Sequence, residues 1–499
     1  MEEDIIVETT HGKVRGYSRR GVIKFKGIPY AAPPIGNLRF KPPAPVEPWS
    51  DVLDATKYSS ISIQPESRLE AMFGEPLPQS EAECLTLNVW TQGLDNNKRP
   101  VMFWIHGGGF ITGTGATLDG SRLVLRGDIV VVSINYRLGY LGFLHMPDMP
   151  DTTANAGILD MVAALKWVKE NISTFGGDPN NVTIFGESAG GMAVSTLLAT
   201  PSAKGLFHRA IPQSGAANKF GFNPVNAIKV YEDLIQKLGV KKGDIEALRK
   251  LSAEKFIVPQ TETTGFQARG IRVGPVVDKS TLPVHPQEAI SEGFAKDIDI
   301  FIGTNLDENK LFLIWDPKAF KLTEEGLYKY INSFMRIANQ KDGKGKELIE
   351  NYRELRKTPR DIADAISTDY TFRIPSIRLA EAQSKYQKNV YMYLFTWQSP
   401  LGGGKYGAMH ALELAFVFGL FGDKDIGISP ARTEETQKLS GQMMDAWIAF
   451  ARSGNPNHKN IPKLPPYDKK NRATILFDKK VTIENDPYGN ERVAWDGIF

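Results

Sequence analysis

The sequence is poor in cysteine, with a single one, Cys84, among 499 residues. One thiol excludes an intramolecular disulfide and any cysteine-based zinc site. Long apolar runs are also missing, since no stretch of about 18 apolar residues occurs, and we expect no transmembrane helix. The stretch MEEDIIVETTHGKVRG carries acids where a secretory signal needs basic residues, and no apolar segment follows it. These features predict a cytoplasmic protein that does not bind a membrane.

The sequence also lacks an excess of positive or negative charge. Lys plus Arg total 60 and Asp plus Glu total 57, which gives a net charge of +3. A binder of nucleic acid or of an anionic membrane usually carries a basic block, and none is present. No spacing of His, Asp and Glu suggests a metal site, and no nucleotide motif such as G-x-x-x-x-G-K-[ST] occurs. We therefore expect no nucleic-acid partner, no metal and no cofactor.

The order of the predicted elements indicates an α/β protein. Near-continuous apolar runs such as PVMFWI, DIVVVSI and NVTIF are typical of strands buried on both faces of a parallel sheet. Helical patterns lie between these runs, as expected for a mainly parallel sheet flanked by helices. Residues 225–260 and 322–385 are charged and helical in pattern, yet strands continue to residue 397. We expect one elaborated domain over 1–499, with those two stretches as helical insertions, in a monomeric protein.

A nucleophile elbow is predicted around Ser188. Gly186-Glu187-Ser188-Ala189-Gly190 fits G-x-S-x-G, with a strand before it and a helical pattern after it. The turn in such an elbow is so tight that only glycines fit two residues before and after the serine. The start of the following helix also favours developing negative charge. An ordinary serine in a strand-to-helix turn is the alternative.

A candidate oxyanion hole precedes this serine along the chain. The tract His106-Gly107-Gly108-Gly109-Phe110 directly follows the apolar run VMFWI. Successive glycines let the N–H groups of Gly108 and Gly109 point into one cavity. Together with the N–H of Ala189 they could bind the negative oxygen of a tetrahedral intermediate. A flexible glycine loop or a phosphate cradle is the alternative.

The base and the acid should follow the serine along the chain. Of seven histidines, His410 is the best candidate, because it lies in a glycine-rich loop after the strand pattern NVYMYLFTW. The acid should lie between Ser188 and His410, near another strand end. The strand pattern DIDIFIGTN is followed by Asp307 and Glu308, and both satisfy this spacing. The residues alone leave that choice open.

Taken together, these segments resemble the type B carboxylesterase and cholinesterase family of α/β-hydrolases, over nearly the whole chain. The run FGGDPNNVTIFGESAG at 175–190 matches the family's serine signature, and KGIPYAAPPIGNLRF, NYRLGYLGFL, IPQSG and GPVVD also look like family segments. GTNLDEN is similar to the family's GTNxDEG, which implies Glu308 as the acid, and GAMHALELAFVFG implies His410 as the base. The lack of disulfide cysteines makes bacterial or archaeal esterases of the p-nitrobenzyl-esterase kind the nearest in look.

Some segments depart from the family pattern. The usual Ser-Glu-Asp-Cys-Leu reads Ser-Glu-Ala-Glu-Cys-Leu at 80–85. The family pattern implies a salt bridge between Arg39 and an acid of this segment, and the extra or shifted acid puts that salt bridge in question.

Several further residues are candidates for supporting roles. Glu187 is expected to tune the field around the serine, or else to face solvent, and Ser214 is a candidate hydrogen-bond partner close to the site, or else a turn serine. An acyl or alcohol pocket could be lined by aromatic and apolar residues that follow the oxyanion and acid segments, or these could be plain core: Phe110, Phe312, Leu313 and Trp315.

The sequence therefore predicts a serine carboxylesterase that acts on a small-molecule ester through an acyl-enzyme intermediate. Two alternatives remain. One is a catalytically silent adhesion or recognition member of the family, which would usually have lost the serine. The other is a true lipase, which would need a lid that responds to an oil–water interface.

Overall fold

A computed structural model of the chain describes residues 3–66, 77–218, 222–264, 273–313, 321–338, 340, 343–422 and 430–498. These residues form two compact units. The first comprises Met1–Ile211, Phe222–Ala289 and Ala451–Ser453, and the second comprises Pro212–Gly221, Ile290–Phe450 and Gly454–Phe499. Each unit is assembled from separate stretches of chain, and the single-domain organisation stays a prediction.

The first unit contains a sheet whose central strands are parallel. Its strands are β1 (Glu3–Thr9), β2 (Gly12–Arg19), β3 (Val22–Pro29), β4 (Leu53–Asp54), β5 (Thr86–Thr91), β6 (Arg99–Ile105), β7 (Val130–Ile134) and β8 (Gly177–Glu187). They lie in the order β1-β2-β3-β5-β7-β6-β8, with β4 beside β2. Strand β6 pairs in parallel with both β7 and β8, whereas β5 is antiparallel to β3 and β7. Every residue of β6 and β7 is buried, as the continuous apolar runs predicted.

Helices of the first unit alternate with these strands. They are α1 (Ser121–Gly127), α2 (Gly139–Phe143), α3 (Ala156–Asn171), α4 (Ala189–Leu197), α5 (Pro224–Leu238), α6 (Ile245–Lys250) and α7 (Ile257–Thr264). Strand β9 (Arg209–Gln213) and helix α8 (Pro286–Ser291) run across the boundaries of the two units. Asn223 caps the start of helix α5, since its side chain accepts a hydrogen bond from the N–H of Val225, and the left-handed Gly239 caps its end.

The second unit contains four strands and most of the remaining helices. The strands are β10 (Asp299–Asn305), β11 (Val390–Phe395), β12 (Ala473–Phe477) and β13 (Thr482–Asn485), paired in this order. The first three are parallel, and β13 is antiparallel to β12. The helices are α9 (Glu324–Ile337), α10 (Lys344–Tyr352), α11 (Pro359–Thr368), α12 (Ile374–Gln383), α13 (Leu412–Val417), α14 (Glu434–Ser453) and α15 (Gly489–Val493). The last three residues of α14, Ala451–Ser453, belong to the first unit. A π-helical turn, Asp369–Arg373, joins α11 to α12.

The mainly parallel strands flanked by helices confirm the predicted α/β class. Helices α5 to α7 occupy the predicted helical stretch at 225–260, and helices α9 to α12 occupy 322–385. The described part of the chain holds no helix with the length and apolar character needed to cross a membrane.

Arg39 pairs with Glu81. The guanidinium donates from Nε to Glu81 Oε1 over 2.7 Å and from Nη2 to Oε2 over 2.5 Å, and both side chains are almost fully buried. Arg39 also donates to the backbone oxygen of Leu251 over 2.5 Å. A bidentate pair of this kind holds its partners in one geometry. The departure at 80–85 therefore leaves a pair intact, with Glu81 as the acid.

Candidate active site

Ser188 lies on a strained turn between β8 and α4. Its backbone angles are φ 59° and ψ −122°, outside the regions that an ordinary serine adopts. Its carbonyl oxygen accepts a hydrogen bond from the N–H of Met192 over 2.9 Å, which starts helix α4. A non-glycine residue is held in such a conformation only when its surroundings determine it, and such residues cluster at functional sites. The strand–turn–helix frame predicted from the sequence is confirmed.

The two glycines of the elbow are required by the closeness of strand β6. A Cβ added at Gly186 would lie 2.6 Å from the carbonyl oxygen of Ile105, and one at Gly190 would overlap the same oxygen. At Gly190 it would also lie 2.9 Å from the carbonyl oxygen of His106. These atoms belong to backbone at a sheet strand, so the neighbours cannot move aside cheaply.

Gly190→Ala should destabilise the protein by at least about 2 kcal/mol, because the added methyl group overpacks a rigid contact between the elbow and β6. Urea unfolding would measure the loss. Gly205→Ala serves as the control, since its Cβ would meet nothing within 4 Å and only its φ of +77° is unfavourable. That control should lose about 1 kcal/mol. Equal losses in the two variants would show that the close approach at the elbow is not what requires glycine.

The glycine tract after β6 forms a loop beside the elbow. Gly108 and Gly109 have φ of 101° and 65°, conformations that favour glycine. The carbonyl oxygen of Gly108 accepts hydrogen bonds from the N–H groups of Ile111 and Thr112. A Cβ at Gly107 would lie 3.2 Å from the Cβ of Ser188, so the loop and the elbow are in contact. The glycine tract therefore lies directly beside Ser188.

Three backbone donors of this region are uncommitted. Within the described residues, the N–H groups of Gly108, Gly109 and Ala189 donate no hydrogen bond. Most backbone donors in a folded protein are paired, so unpaired N–H groups on the glycine loop and at the start of α4 need a reason. Binding of a developing oxyanion would satisfy all three.

His106 supports the glycine tract rather than acting as a base. Burial lowers the pKa of its imidazole to about 4. Its ring stacks on Tyr136 at 4.4 Å between centroids, and Nδ1 lies 2.8 Å from the carbonyl oxygen of Gly107. The hydroxyl of Tyr136 donates to the carbonyl oxygen of His106 over 2.9 Å. An imidazole that stays neutral down to about pH 4 cannot shuttle protons near neutrality.

Two other predicted residues of the first unit are buried. Glu187, directly before Ser188, is 4% exposed, so it does not face solvent. Phe110 is fully buried and packs edge-on against Phe143, with ring centroids 5.0 Å apart. Its backbone oxygen accepts from the N–H of Gly139 over 2.7 Å. Phe110 therefore packs in the core beneath the glycine tract, and a role in a substrate pocket stays a prediction.

The second unit brings Glu308 and His410 together. Glu308 Oε2 lies 2.5 Å from His410 Nδ1, and both side chains are buried. The other carboxylate oxygen, Oε1, accepts from the N–H of Asn305 over 2.7 Å. Strand β10 ends at Asn305, so the strand end delivers the acid directly to the imidazole. A buried carboxylate on Nδ1 holds the ring in one tautomer and stabilises its protonated form.

Asp307, the competing acid, does not contact His410. Its carboxylate oxygen Oδ2 accepts from the backbone N–H of Ala408 over 2.9 Å, and Oδ1 lies 2.9 Å from the ammonium group of Lys310. Consecutive side chains at the end of β10 therefore take different directions, and of the two only Glu308 reaches the imidazole.

Two aromatic rings lie beside His410. The ring of Phe312 is 5.5 Å from the imidazole between centroids, and that of Phe372 is 4.8 Å. Both rings therefore pack against the imidazole. Phe312 was predicted as a pocket residue, whereas Phe372 was missed. Phe372 lies on the π-helical turn, a feature that is frequent at functional sites but has no sequence signature here.

Three predicted site residues remain to be located: Leu313, Trp315 and Ser214. Leu313 is buried, and Trp315 lies outside the described residues. Ser214 is fully buried with φ of 46°, and its hydroxyl has no hydrogen-bond partner among the described residues.

A second buried carboxyl group, Glu413, was missed by the sequence reasoning. Its Oε2 accepts from the side-chain amide of Asn305 over 2.7 Å, and its Oε1 accepts from that of Gln213 over 3.2 Å. The indole N–H of Trp447 donates to Gln213 Oε1 over 3.0 Å. Burial and the nearby charge of Glu308 raise the pKa of Glu413 to about 7. Asn305 thus links both carboxyl groups, one through its backbone and one through its side chain.

The raised pKa of Glu413 makes the stability of the protein depend on pH. An unfolded Glu titrates near about 4.3, so the folded chain binds the extra proton between there and about pH 7. Stability should therefore fall as pH rises through this window. From about pH 5 to pH 8, the unfolding free energy of the wild type should fall. In Glu413→Gln this fall should be smaller by about 1–3 kcal/mol.

Urea unfolding at both pH values would measure this difference. Glu484→Gln is the matched control, since Glu484 is an exposed residue of β13 in the same unit. That control should follow the wild type. A loss in Glu413→Gln equal to that of the wild type would contradict a neutral Glu413 in the folded protein.

Comparison with known proteins gives concordant matches. The model of the carboxylesterase family matches residues 3–495. The para-nitrobenzyl esterase of Bacillus subtilis is 41% identical over 495 residues, which cover 98% of this chain and 97% of that protein. The phenmedipham hydrolase of Pseudarthrobacter oxydans is 34% identical over 498 residues, covering 96% and 97%.

Solved structures agree with these matches. A PNB esterase structure superimposes with a TM-score of 0.87 at 40% identity, covering 98% of this chain and 99% of the other. A carboxylesterase of Geobacillus stearothermophilus gives 0.87 at 38% identity with the same coverage.

Proposed function

Because this chain belongs to the carboxylesterase family, we propose that Ser188, His410 and Glu308 are its catalytic triad. The fold is that of the α/β-hydrolases, and the chain is a serine carboxylesterase that acts on small-molecule esters. The roles of individual residues are the proposal.

In the proposed reaction Ser188 Oγ attacks the carbonyl carbon of the ester while His410 accepts the hydroxyl proton. Since Glu308 engages Nδ1 of the imidazole, the role of base falls to Nε2. The N–H groups of Gly108, Gly109 and Ala189 bind the oxygen on which negative charge develops. His410 then gives its proton to the departing alcohol. Water attacks the acyl-enzyme by the same route, and the carboxylic acid leaves.

The contact between Glu308 and His410 is the observation that carries this proposal. A fully buried carboxylate against an imidazole has little structural purpose that an apolar pair would not serve better. Its position at the end of a strand, in the chain order serine, acid, histidine, is that of α/β-hydrolases. The strained Ser188 and the uncommitted donors beside it support the same assignment from the first unit.

A panel of p-nitrophenyl esters from acetate to palmitate tests this function. A carboxylesterase should hydrolyse the short, dissolved esters best, with kcat/KM falling along the series, because the family acts on small esters. A true lipase would favour the long esters and gain activity once they form an interface. A catalytically silent family member would hydrolyse none of them. The benzyl ester named in the relatives, p-nitrobenzyl, belongs in the panel as a substrate proposed for this chain.

The cytoplasmic location and the monomeric state also stay predictions. Size-exclusion chromatography with light scattering would measure the mass in solution against the 55.3 kDa of one chain.

A further inference from the structure

Asp307 holds the backbone of the loop that carries His410. Its Oδ2 accepts from the N–H of Ala408 over 2.9 Å, and its own N–H donates to the carbonyl oxygen of Ala408 over 3.0 Å. Ala408 is fully buried and lies two residues before His410. Gln398 precedes the same loop, and its side-chain Nε2 lies 3.4 Å from the Asp307 carboxylate. Both polar groups of one loop residue are therefore satisfied by one aspartate.

The negative charge of Asp307 is balanced by Lys310, three residues further along the chain. The ammonium group of Lys310 lies 2.9 Å from Oδ1, and the two side chains are 18% and 8% exposed. Oδ1 thus serves the ion pair while Oδ2 serves the loop. A carboxylate committed in this way to two partners has one orientation.

The loop is shaped to fit this carboxylate. Gly407 has φ of +56°, and a Cβ added there would overlap Oδ2 of Asp307. Only glycine lets the backbone approach the carboxylate closely enough for the Ala408 N–H to bond. The close approach and the hydrogen bonds are separate observations that indicate the same contact.

We propose that Asp307 is a positioning residue, whose carboxylate fixes the segment 407–410 so that His410 stays against Glu308. This inference rests on the proposed function and deepens it. The two acids at the end of β10 have complementary roles, because Glu308 binds the imidazole and Asp307 binds the backbone that carries it. Since 1 Å of misplacement in a catalytic group can cost about 10²-fold in rate, the backbone contact affects turnover.

Two variants of Asp307 separate its hydrogen-bonding role from its charge. Asp307→Ala removes the acceptor of a buried N–H, and kcat should fall about 30- to 100-fold while KM changes less than about threefold. Asp307→Asn keeps an acceptor oxygen for Ala408 and loses only the ion pair, so kcat should fall about tenfold or less. If Asp307 acts by positioning the loop, kcat should be higher in Asp307→Asn than in Asp307→Ala. A triad acid would not recover in this way.

Asp468→Ala is the matched control. Asp468 also accepts two backbone N–H groups, from Lys470 and Asn471, but on an exposed turn of the second unit. It should keep kcat within about twofold. Circular dichroism and thermal midpoints for all variants separate misplacement from unfolding.

Gly407→Ala provides a second route that leaves Asp307 in place, for the case in which Asp307→Ala does not fold. The new methyl group displaces the carboxylate, so kcat should fall at least about tenfold with KM nearly unchanged. In an Asp307→Asn background the collision persists. In an Asp307→Ala background the methyl group has room, and its additional effect should shrink to less than about threefold.

The outcomes are distinct. If Asp307→Ala and Gly407→Ala both keep kcat within about twofold, the inference is wrong. If Asp307→Asn is as impaired as Asp307→Ala, the acceptor is not what matters and the inference is also wrong. Failure of the proposed triad would differ, because Glu308→Gln would then remain active.

Discussion

Replacing Ser188 by alanine should lower kcat by about 10³-fold or more. The hydroxyl is the proposed nucleophile, and removal of one member of a serine triad leaves only the rate that binding and the oxyanion donors supply. KM should change little, since the alanine leaves the elbow and its neighbouring donors in place. Steady-state hydrolysis of p-nitrophenyl acetate measures both parameters.

Labelling with an organophosphate makes the assignment specific. The reagent should modify Ser188 in the wild type and no serine in Ser188→Ala, as read by peptide mass spectrometry. Ser195→Ala is the matched control, because Ser195 is a buried serine of the same helix α4 whose hydroxyl donates to the carbonyl oxygen of Gly191. It should keep kcat within a few fold. Labelling of another serine, or near-normal turnover of Ser188→Ala, would refute the assignment.

Glu308→Gln should lose at least about 10²-fold in kcat while the protein folds normally. The amide keeps the shape of the carboxylate but removes the charge that stabilises the imidazolium of His410. It can also place an N–H against Nδ1 and so select the wrong tautomer. The same change of a triad acid to its amide costs about 10⁴-fold in a serine protease. All variants are compared at one and the same pH.

Asp307→Asn is the comparison for this prediction, and it should lose about tenfold or less. The two acids are adjacent in sequence and both are buried, so general disturbance of the strand end would affect them alike. If Asp307→Asn keeps a much higher kcat than Glu308→Gln, the difference therefore reports the contact between Glu308 and the imidazole. If instead Asp307→Asn loses most of its activity and Glu308→Gln stays active, the acid of the triad is Asp307 and not Glu308.

The choice between these two acids shows where residue patterns stop being informative. Both satisfy the chain order and the position after a strand, and the resemblance to a family favoured Glu308. The structure gives a physical reason, since the direction of each side chain depends on how the chain turns after Asn305. That turn depends on contacts with Ala408 and Glu413, which are about 100 residues away along the chain.

The supporting network around Glu413 illustrates the same limit. Glu413 follows His410 by three residues and reads as an ordinary acid at the start of helix α13. Its pKa is raised by burial and by the nearby charge of Glu308, while the hydrogen bond from Asn305 acts in the opposite direction. No spacing in the chain predicts such a group, because burial is a property of the packed structure.

The sequence by itself determined the features that depend on neighbours along the chain. The elbow needs glycines on either side of Ser188 between a strand and a helix, and the oxyanion loop needs successive glycines after a strand. Such features are readable because steric rules for a short segment act within that segment. For the same reason, alternation of apolar strands and helices was enough to predict the α/β class.

Only the tertiary structure decided which distant groups meet. It brought Glu308 to His410, turned Asp307 to the backbone of Ala408, and placed Phe372 beside the imidazole. It also packed Phe110 in the core and left the hydroxyl of Ser214 without a hydrogen-bond partner among the described residues. Hydrogen bonds and ring contacts act over a few ångströms. Their partners are therefore set by how strands and helices pack, and separation along the chain does not encode that packing.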